Sequence, residues 1–286
     1  FTVEYTTDGQ SVQIVYSDAT KGWIPISDDV ATDAPSKGNS EGIFAYGYSG
    51  SIVSMSNLIS TVGVVGSDVT GVGTARYDLA ACEFGGDKGI FAYGSAGAMS
   101  NLVSNSGVIA TDVSGVGTAR ESPAACSYGG DKGIFGYGAG PVSMTNLVNN
   151  SGVVGSDVTG VGTARRLLGA CEYDDDKAIF AYGDTGSVSS LSNLVSNAGV
   201  VATDVTGVGT ARKQLAACTY GYDKGIFAYG STGSNVSMSN LVSTSGVIAS
   251  DVTGVGSARH ELAATQYGGD KAIFGYGYTS GRVSLS

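Results

Sequence analysis

Cysteine, histidine and carboxylate side chains are the groups in this sequence whose type and spacing could support chemistry. The cysteines occupy one position of a repeated pattern, at Cys82, Cys126, Cys171 and Cys218. A disulfide or metal site needs thiols that converge, often as a CxxC pair, whereas these are 44 to 47 residues apart. We therefore predict four buried, free thiols and no metal site, in keeping with assembly in a reducing cytoplasm.

His260 is the only histidine in the sequence. A Ser-His-Asp triad could use no other histidine than this one. A metal site built on several imidazoles is excluded. No repeat carries an isolated, unrepeated set of catalytic residue types. The sequence favours a protein that is not an enzyme and that uses no cofactor.

Aspartates recur with an arginine eight residues later. The pairs are Asp68 and Arg76, Asp112 and Arg120, Asp157 and Arg165, Asp204 and Arg212, and Asp251 and Arg259. We interpret them as structural ion pairs or turn-capping contacts, which a repeat fold copies at every interface. The alternative is a ring of five arginines that binds an anion. The acidic run at residues 174–176 is interpreted as a solvated turn, with a calcium site as the alternative.

The composition indicates a folded protein that does not bind nucleic acid. The 286 residues include 46 glycines, with 42% hydrophobic and 14% charged residues. That balance supplies enough apolar material for a core, and the glycines suggest a regular use of turns. The formal charge is −10 and no lysine or arginine cluster occurs, so a phosphate-binding surface is not expected. No apolar run reaches the ~20 residues needed to insert in a membrane.

A strand pattern repeats six times along the chain. The sequence Gly-Ile-Phe-Ala-Tyr-Gly at 42–47 returns at residues 89, 133, 178, 225 and 272, with only Gly and Ala exchanged at its first and fourth positions. Each repeat holds four short apolar runs bounded by Gly, Asn, Ser or Asp, which predict four strands: a (Leu-Ala-Ala-Cys), b (Ile-Phe-Ala-Tyr), c (Asn-Leu-Val) and d (Gly-Val-Val). Four strands per unit of this length favour an all-β fold of the β-propeller type over a solenoid. We expect six blades, with five as the alternative.

Residues 211–218, Ala-Arg-Lys-Gln-Leu-Ala-Ala-Cys, followed by Ile-Phe-Ala-Tyr-Gly at 226–230, resemble a kelch repeat. They differ from it in ending strand b with Tyr-Gly instead of a double glycine. The recurring Val-Ser-Met-Ser-Asn-Leu-Val-Ser and Thr-Gly-Val-Gly-Thr-Ala-Arg also resemble repeat regions of predicted bacteriophage tail-fibre and other virion proteins. The resemblance implies a kelch-like β-propeller in a virion, assembled in the cytoplasm of a bacterial host.

Three segments are predicted: an N-terminal β-hairpin over 1–27, a linker over 28–41 and the propeller over 42–286. The hairpin is expected from Phe1–Tyr5, a turn at Thr7–Gly9, and Val12–Tyr16. The segment 12–24 resembles one found in phage fibres before a distal domain. A lone hairpin is marginal in water, so we expect completion either by the rest of the chain or by neighbouring subunits, and favour the second, as in a homotrimer.

Two sets of positions vary between repeats while their surroundings do not. One set follows the repeated arginine and the other follows strand b. The candidate binding residues from these sets are Tyr77, Asp78, Glu121, Arg166, Lys213, Gln214, His260, Glu261, Tyr48, Asp184 and Tyr278. In an up-and-down blade the d–a and b–c loops emerge at the same end, so both sets are expected on one face.

Recognition usually lies in loops on a rigid scaffold. The leading hypothesis is a non-enzymatic virion or tail-fibre component that attaches to a host-surface receptor, a glycan or a protein, with glycan favoured. The alternative is a purely structural virion protein that bridges or decorates other virion proteins. Neutral variation of exposed loops would leave the same pattern.

Overall fold

The computed structural model describes residues 10–18, 22–30 and 40–286, and within the first two ranges it describes the side chain of Tyr16 alone. The chain divides into two compact units, Phe1–Gly38 and Asn39–Ser286. No helix occurs in the described residues, and the strands form seven small antiparallel sheets. The all-β prediction is confirmed.

The N-terminal unit contains a hairpin. Strand β1 (Gln10–Asp18) pairs antiparallel with β2 (Gly22–Val30), which places Tyr16 opposite Trp23. The partner strand that the sequence predicted, Phe1–Tyr5, lies outside the described residues. Strand β2 also reaches Val30, three residues beyond the predicted boundary at 27.

The second unit is built from six repeats, numbered here in chain order. Strands a are β5 (Ala80–Phe84), β8 (Ala124–Tyr128), β11 (Gly169–Tyr173), β14 (Ala216–Tyr220) and β17 (Ala263–Tyr267). Strands b are β3 (Gly42–Tyr48), β6 (Lys88–Ala92), β9 (Lys132–Gly138), β12 (Lys177–Ala181), β15 (Lys224–Ala228) and β18 (Lys271–Gly275). Strands c are β4 (Ile52–Ile59), β7 (Ser100–Val103), β10 (Val142–Val148), β13 (Ser192–Val195) and β16 (Ser239–Val242).

Repeats 2 to 5 each form a three-stranded sheet in the order a, b, c, whereas repeat 1 contributes strands b and c, and repeat 6 strands a and b. The predicted strand d is shorter than a strand. It joins strand c through two isolated bridges, such as Ser100 with Val113 and Val103 with Ile109 in repeat 2. Between these bridges segment d has three residues, 110–112, opposite two of strand c, 101–102, so the register shifts by one residue and no continuous ladder forms.

The core lies between successive sheets. Strand b is buried over most of its length, as for Ile134 and Phe135 of β9, and each buried cluster mixes side chains of neighbouring repeats. One cluster contains Ile90 and Tyr93 of repeat 2 together with Phe135 of repeat 3. Each sheet therefore depends on its neighbours for burial, as expected of a repeat that cannot cover its own apolar faces.

The tyrosine that ends strand b packs edge-on or tilted against the phenylalanine of the next strand b. The ring pairs are Tyr46 and Phe91, Tyr93 and Phe135, Tyr137 and Phe180, Tyr182 and Phe227, and Tyr229 and Phe274. The same kind of pair joins repeat 6 to repeat 1, where Tyr276 and Phe44 have ring centroids 5.3 Å apart. The six contacts thus run from each repeat to the next and from the last to the first.

These tyrosines adopt a left-handed backbone conformation that is rare for an aromatic residue. Their φ angles lie between 63° and 67°, and the glycine that follows each also has a positive φ. An arginine from the next repeat stacks on the ring, with Cζ 4.1 to 4.3 Å from the centroid in Arg76 over Tyr46 and its four equivalents. The Tyr-Gly ending, which departs from the kelch pattern, is therefore part of the contact between successive repeats. We call this contact a junction.

We expect Phe135→Ala and Phe44→Ala each to lower the free energy of unfolding by about 3–5 kcal/mol, because both rings are buried against a tyrosine. Urea unfolding followed by far-UV circular dichroism measures this. Val153→Ala, at a 60% exposed side chain, is the control and should change stability by less than about 0.5 kcal/mol. A neutral Phe44→Ala would show that repeats 6 and 1 do not pack in solution.

Candidate functional site

The two variable sets meet in pairs at one end of each sheet. The residue after the repeated arginine exchanges backbone hydrogen bonds with the first residue after the Tyr-Gly of strand b, as in Arg166 with Asp184, Lys213 with Ser231, and His260 with Tyr278. In repeats 2 and 3, Ser95 N donates to Tyr77 O and Ala139 N to Glu121 O. We call the surface formed by these d–a and b–c loops the loop-pair face.

The next residue along each d–a loop links successive repeats. Ser122 N donates to Asp78 O, Leu167 N to Ser122 O, Gln214 N to Leu167 O, and Glu261 N to Gln214 O, over 2.8 to 3.2 Å. All five residues have φ between 53° and 57°, a left-handed conformation that aligns their amides along this series. The loop-pair face is therefore one hydrogen-bonded surface across repeats 2 to 6.

Side chains of this face form contacts that span repeats. Tyr48 and Tyr77 pack edge-on with centroids 6.3 Å apart, and Tyr48 is 46% exposed. Lys213 Nζ lies 2.7 Å from the buried carboxylate of Asp184, and this hydrogen bond lowers the pKa of Asp184. Gln214 Nε2 donates to Glu261 Oε1 over 2.7 Å.

The structure adds two residues that sequence reasoning missed. Asn235 Oδ1 is 2.7 Å from His260 Nδ1, and its amide donates to Tyr278 O. Arg282 stacks on Tyr48 with Cζ 4.1 Å from the ring centroid and donates from Nε to Tyr48 O. Asn235 and Arg282 each form a β-bridge with the first residue of their own b–c loop, four residues earlier in the chain. A comparison of the repeats that continued four residues further along this loop would therefore have included them.

Each repeated aspartate from Asp112 onwards caps a turn in the preceding d–a loop. In four cases the carboxylate accepts hydrogen bonds from the backbone N–H and the hydroxyl of one threonine: Asp112 from Thr74, Asp157 from Thr118, Asp204 from Thr163, and Asp251 from Thr210. Asp68 instead accepts a hydrogen bond from Asn57. Among the described residues, none of the five aspartates lies within 4 Å of the arginine eight residues later, and the one aspartate–arginine contact is between Arg165 and Asp204, 39 residues apart, at 3.8 Å.

The repeated arginines are buried, not displayed. Arg76, Arg165 and Arg212 are fully buried, and Arg120 and Arg259 nearly so. Their guanidinium N–H groups donate to backbone carbonyls, such as Arg120 Nε to Tyr137 O at 2.7 Å and Nη1 to Thr118 O. The alternative of an anion-binding arginine ring is wrong, because these charges face tyrosine rings and carbonyls inside the junctions.

The cysteines are free thiols within strands a, and three of the four are buried. Burial raises the pKa of each thiol above its ordinary value. A thiol held in its neutral form is a poor nucleophile and metal ligand. The prediction of free thiols is confirmed for all four cysteines, and that of burial for Cys126, Cys171 and Cys218.

No family model matches the chain, and no curated protein matches it. Among solved structures the chain is similar to one described as a novel fungal alcohol oxidase with catalytic diversity among the AA5 family, in complex with copper. The TM-score is 0.52 at 12% identity, and the similarity covers 79% of this chain and 66% of that one, just under two thirds of its length. At this identity the likeness concerns the fold alone.

The residues present do not fit a copper site. Imidazole nitrogens are the side-chain donors that best suit this metal, and the whole sequence has one histidine, whose Nδ1 is engaged by Asn235. No group of three or more His, Cys, Asp or Glu side chains able to hold a metal ion is found in the described part of the chain. Nor does that part contain a helix long and apolar enough to cross a membrane.

We expect Asp157→Asn to lower the free energy of unfolding at pH 7 by about 1 kcal/mol, since hydrogen bonds to a charged acceptor become hydrogen bonds to a neutral one at a site partly screened by solvent. Hydrogen bonds from Thr118 and Asn146 lower the pKa of Asp157, so its contribution is present above the ordinary value near 4 and is lost as pH falls further.

Urea unfolding of both proteins between pH 7 and pH 2.5 measures this effect. The gap between native chain and variant should close below about pH 4. Asp223→Asn, which breaks only the exposed pair with Lys224, is the control and should stay within about 0.5 kcal/mol of the native chain. A gap that is unchanged at pH 2.5 would contradict a role for the Asp157 charge.

Proposed function

We propose that the six sheets of residues 40–286 close into a six-bladed, kelch-like β-propeller. Two observations support this arrangement over five blades. The tyrosine–phenylalanine contact occurs six times, including Tyr276 with Phe44. Gly268 N donates to Ser40 O just as Gly221 N donates to Asp270 O between repeats 5 and 6.

We propose that the protein is a non-enzymatic component of a bacteriophage virion or tail fibre, which binds a receptor on the host surface through the loop-pair face. The observation that carries the proposal is the pairing of the two variable loop sets. Residues that differ from repeat to repeat lie side by side, while the residues that hold the junctions are repeated. A constant scaffold with varied neighbouring loops is the usual design of a recognition surface.

The side chains of this face suit a glycan better than a highly charged polymer. Tyrosine provides a large, rigid, amphipathic contact surface, and Ser, Gly and Asn provide adaptable hydrogen bonds. Tyr48, Tyr77 and Tyr278 supply such rings, with Asn235 and Gln214 nearby in the same loops. The oxidase likeness does not change this proposal, because the residues for a copper centre are not present.

The exposed valines of the d segments favour the second candidate function, a structural virion protein. The valine after each c–d turn glycine is 60 to 65% exposed in Val64, Val108, Val153, Val200 and Val247. A second exposed valine lies opposite strand c, as in Val113 opposite Ser100 and Val158 opposite Thr145. Repeated apolar groups on an edge are typical of contact surfaces between proteins.

The direct test is binding of the purified chain to a glycan panel and to whole bacterial cells. The variant carries Tyr77→Ala, Arg166→Ala, Lys213→Ala and His260→Ala, all on the loop-pair face. We expect it to lose at least about tenfold in affinity, since truncating central contact residues typically costs 1 kcal/mol or more each.

The matched control carries Tyr222→Ala in an a–b turn and Lys88→Ala, Lys132→Ala and Lys271→Ala at the strand b residue that follows such a turn, at the opposite end of the strands. It also removes one tyrosine and three basic groups, and we expect it to bind as the native chain does. Equal losses in both variants would reject the face, and no binding by the folded native chain would leave the structural role ahead.

A further inference from the structure

The imidazole of His260 is held by an asparagine that determines which ring nitrogen carries the proton. Nδ1 lies 2.7 Å from Asn235 Oδ1. The amide nitrogen of Asn235 donates to the backbone carbonyls of Tyr278 and Thr279, over 3.2 and 2.9 Å, so Oδ1 is the atom left to accept from the ring. Nδ1 therefore carries the proton, and the neutral imidazole keeps Nε2 as an acceptor.

The nearest polar neighbour of this nitrogen is a second acceptor. Glu261 Oε1 lies 3.8 Å from His260 Nε2 and accepts a hydrogen bond from Gln214 Nε2 over 2.7 Å. No N–H or O–H group in the described part of the chain donates to Nε2. Two acceptors cannot bond to each other, so the donor for Nε2 has to come from water or from a ligand.

Both acceptors are accessible on the loop-pair face and lie beside an aromatic ring. The side chain of His260 is 19% exposed and that of Glu261 is 52% exposed. The half-buried ring of Tyr278 packs tilted against the imidazole, with centroids 5.4 Å apart. We call these three residues, together with Gln214 and Asn235, the His260 cluster.

Other acceptors of the loop-pair face have donors within the protein. The carboxylate of Asp184 is bonded by Lys213 Nζ at 2.7 Å, and that of Asp78 by the Ser122 hydroxyl at 3.0 Å. The corresponding loops of repeats 5 and 6 instead present an imidazole nitrogen that is fixed as an acceptor. This difference singles out one place on the face.

We propose that the His260 cluster is the subsite of the loop-pair face that binds a neutral hexose through two adjacent hydroxyl groups. One hydroxyl donates to His260 Nε2 and its neighbour donates to the Glu261 carboxylate, while the C–H groups of the sugar pack on Tyr278. The inference rests on the proposed function and deepens it, because it names the ligand group and the repeats that hold it.

The chemistry of the cluster selects this ligand class. Adjacent hydroxyls supply two O–H donors side by side, which is what two neighbouring acceptors require. A carboxylate, sulfate or phosphate group has no donor for Nε2 and would be repelled by the charge of Glu261. A polar site of this kind also discriminates against a sugar that lacks one hydroxyl, because an acceptor is then left unpaired.

The single histidine of the sequence makes a direct NMR test available, since a ¹⁵N-labelled chain without a histidine tag gives one pair of imidazole nitrogen signals. At about pH 8, where an ordinary imidazole is neutral, we expect Nδ1 to be protonated and Nε2 unprotonated. The probes are methyl α-mannoside, methyl β-galactoside and methyl α-glucoside, which differ in the arrangement of their adjacent hydroxyls. We expect at least one of them to shift the Nε2 signal saturably.

Monodeoxy analogues of that hexoside identify the hydroxyls. Two analogues, altered at adjacent carbons, should bind at least about tenfold more weakly because each lacks one donor. A chain with Nε2 protonated or Nδ1 unprotonated at this pH would overturn the inference. So would an Nε2 signal that all three hexosides leave unchanged.

Variants separate this subsite from the proposed function. Glu261→Gln keeps the shape of the side chain, and His260→Phe keeps a ring beside Tyr278, and each should lower binding to the glycan panel and to whole cells at least about tenfold. Asp270→Asn is the matched control, because it removes one carboxylate from repeat 6 at an exposed pair with Lys271 in the a–b turn. It should bind as the native chain does.

The two failures are distinguishable in this experiment. Native-like binding by both cluster variants would reject the subsite and leave receptor recognition by the rest of the loop-pair face. No binding by the folded native chain to glycans or cells would reject the proposed function together with the subsite.

Discussion

The burial of an arginine against a tyrosine at each complete junction is the interaction on which this structure depends. Taking a guanidinium out of water is expensive unless its N–H groups and charge find partners. Here the ring of the preceding repeat lies about 4 Å below it, and backbone carbonyls accept its hydrogen bonds, as those of Tyr137 and Thr118 do for Arg120. The tyrosine must leave the plane of its strand to reach this position, and the left-handed backbone at its Cα provides that turn.

This junction also determines where variation is tolerated. The arginine, the tyrosine and the capping aspartate are tied to partners in the neighbouring repeat, so changing one of them leaves a buried group without its contact. The residues just after the arginine and just after Tyr-Gly need only their backbone atoms to join the two loops. Their side chains are therefore able to differ, as Tyr77 and Lys213 do, without loss of the fold.

Sequence reasoning predicted strands a, b and c and the meeting of the two loop sets, because periodic apolar runs and repeat comparison report directly on these features. It did not predict that strand d is reduced to bridges, since the Gly-Val-Val run reads like any other short strand. It also could not show that Asp112 caps Thr74, 38 residues earlier in the chain. The repeat pattern predicted an ion pair or a turn cap between neighbouring repeats, but it did not identify the partner residue, which is set by how the sheets pack.

The charge of the loop-pair face bears on the class of ligand. Its acidic residues are Asp78, Glu121, Asp184 and Glu261, and its basic residues are Arg166, Lys213, His260 and Arg282. Several of these charges are already engaged: Lys213 is held by Asp184, and Arg282 lies over Tyr48. The face is thus nearly balanced in a protein of net charge −10, and it offers little long-range attraction to a polyanion. A neutral ligand that stacks on tyrosine and hydrogen-bonds to amides fits the proposed site better than a phosphorylated or sulfated one.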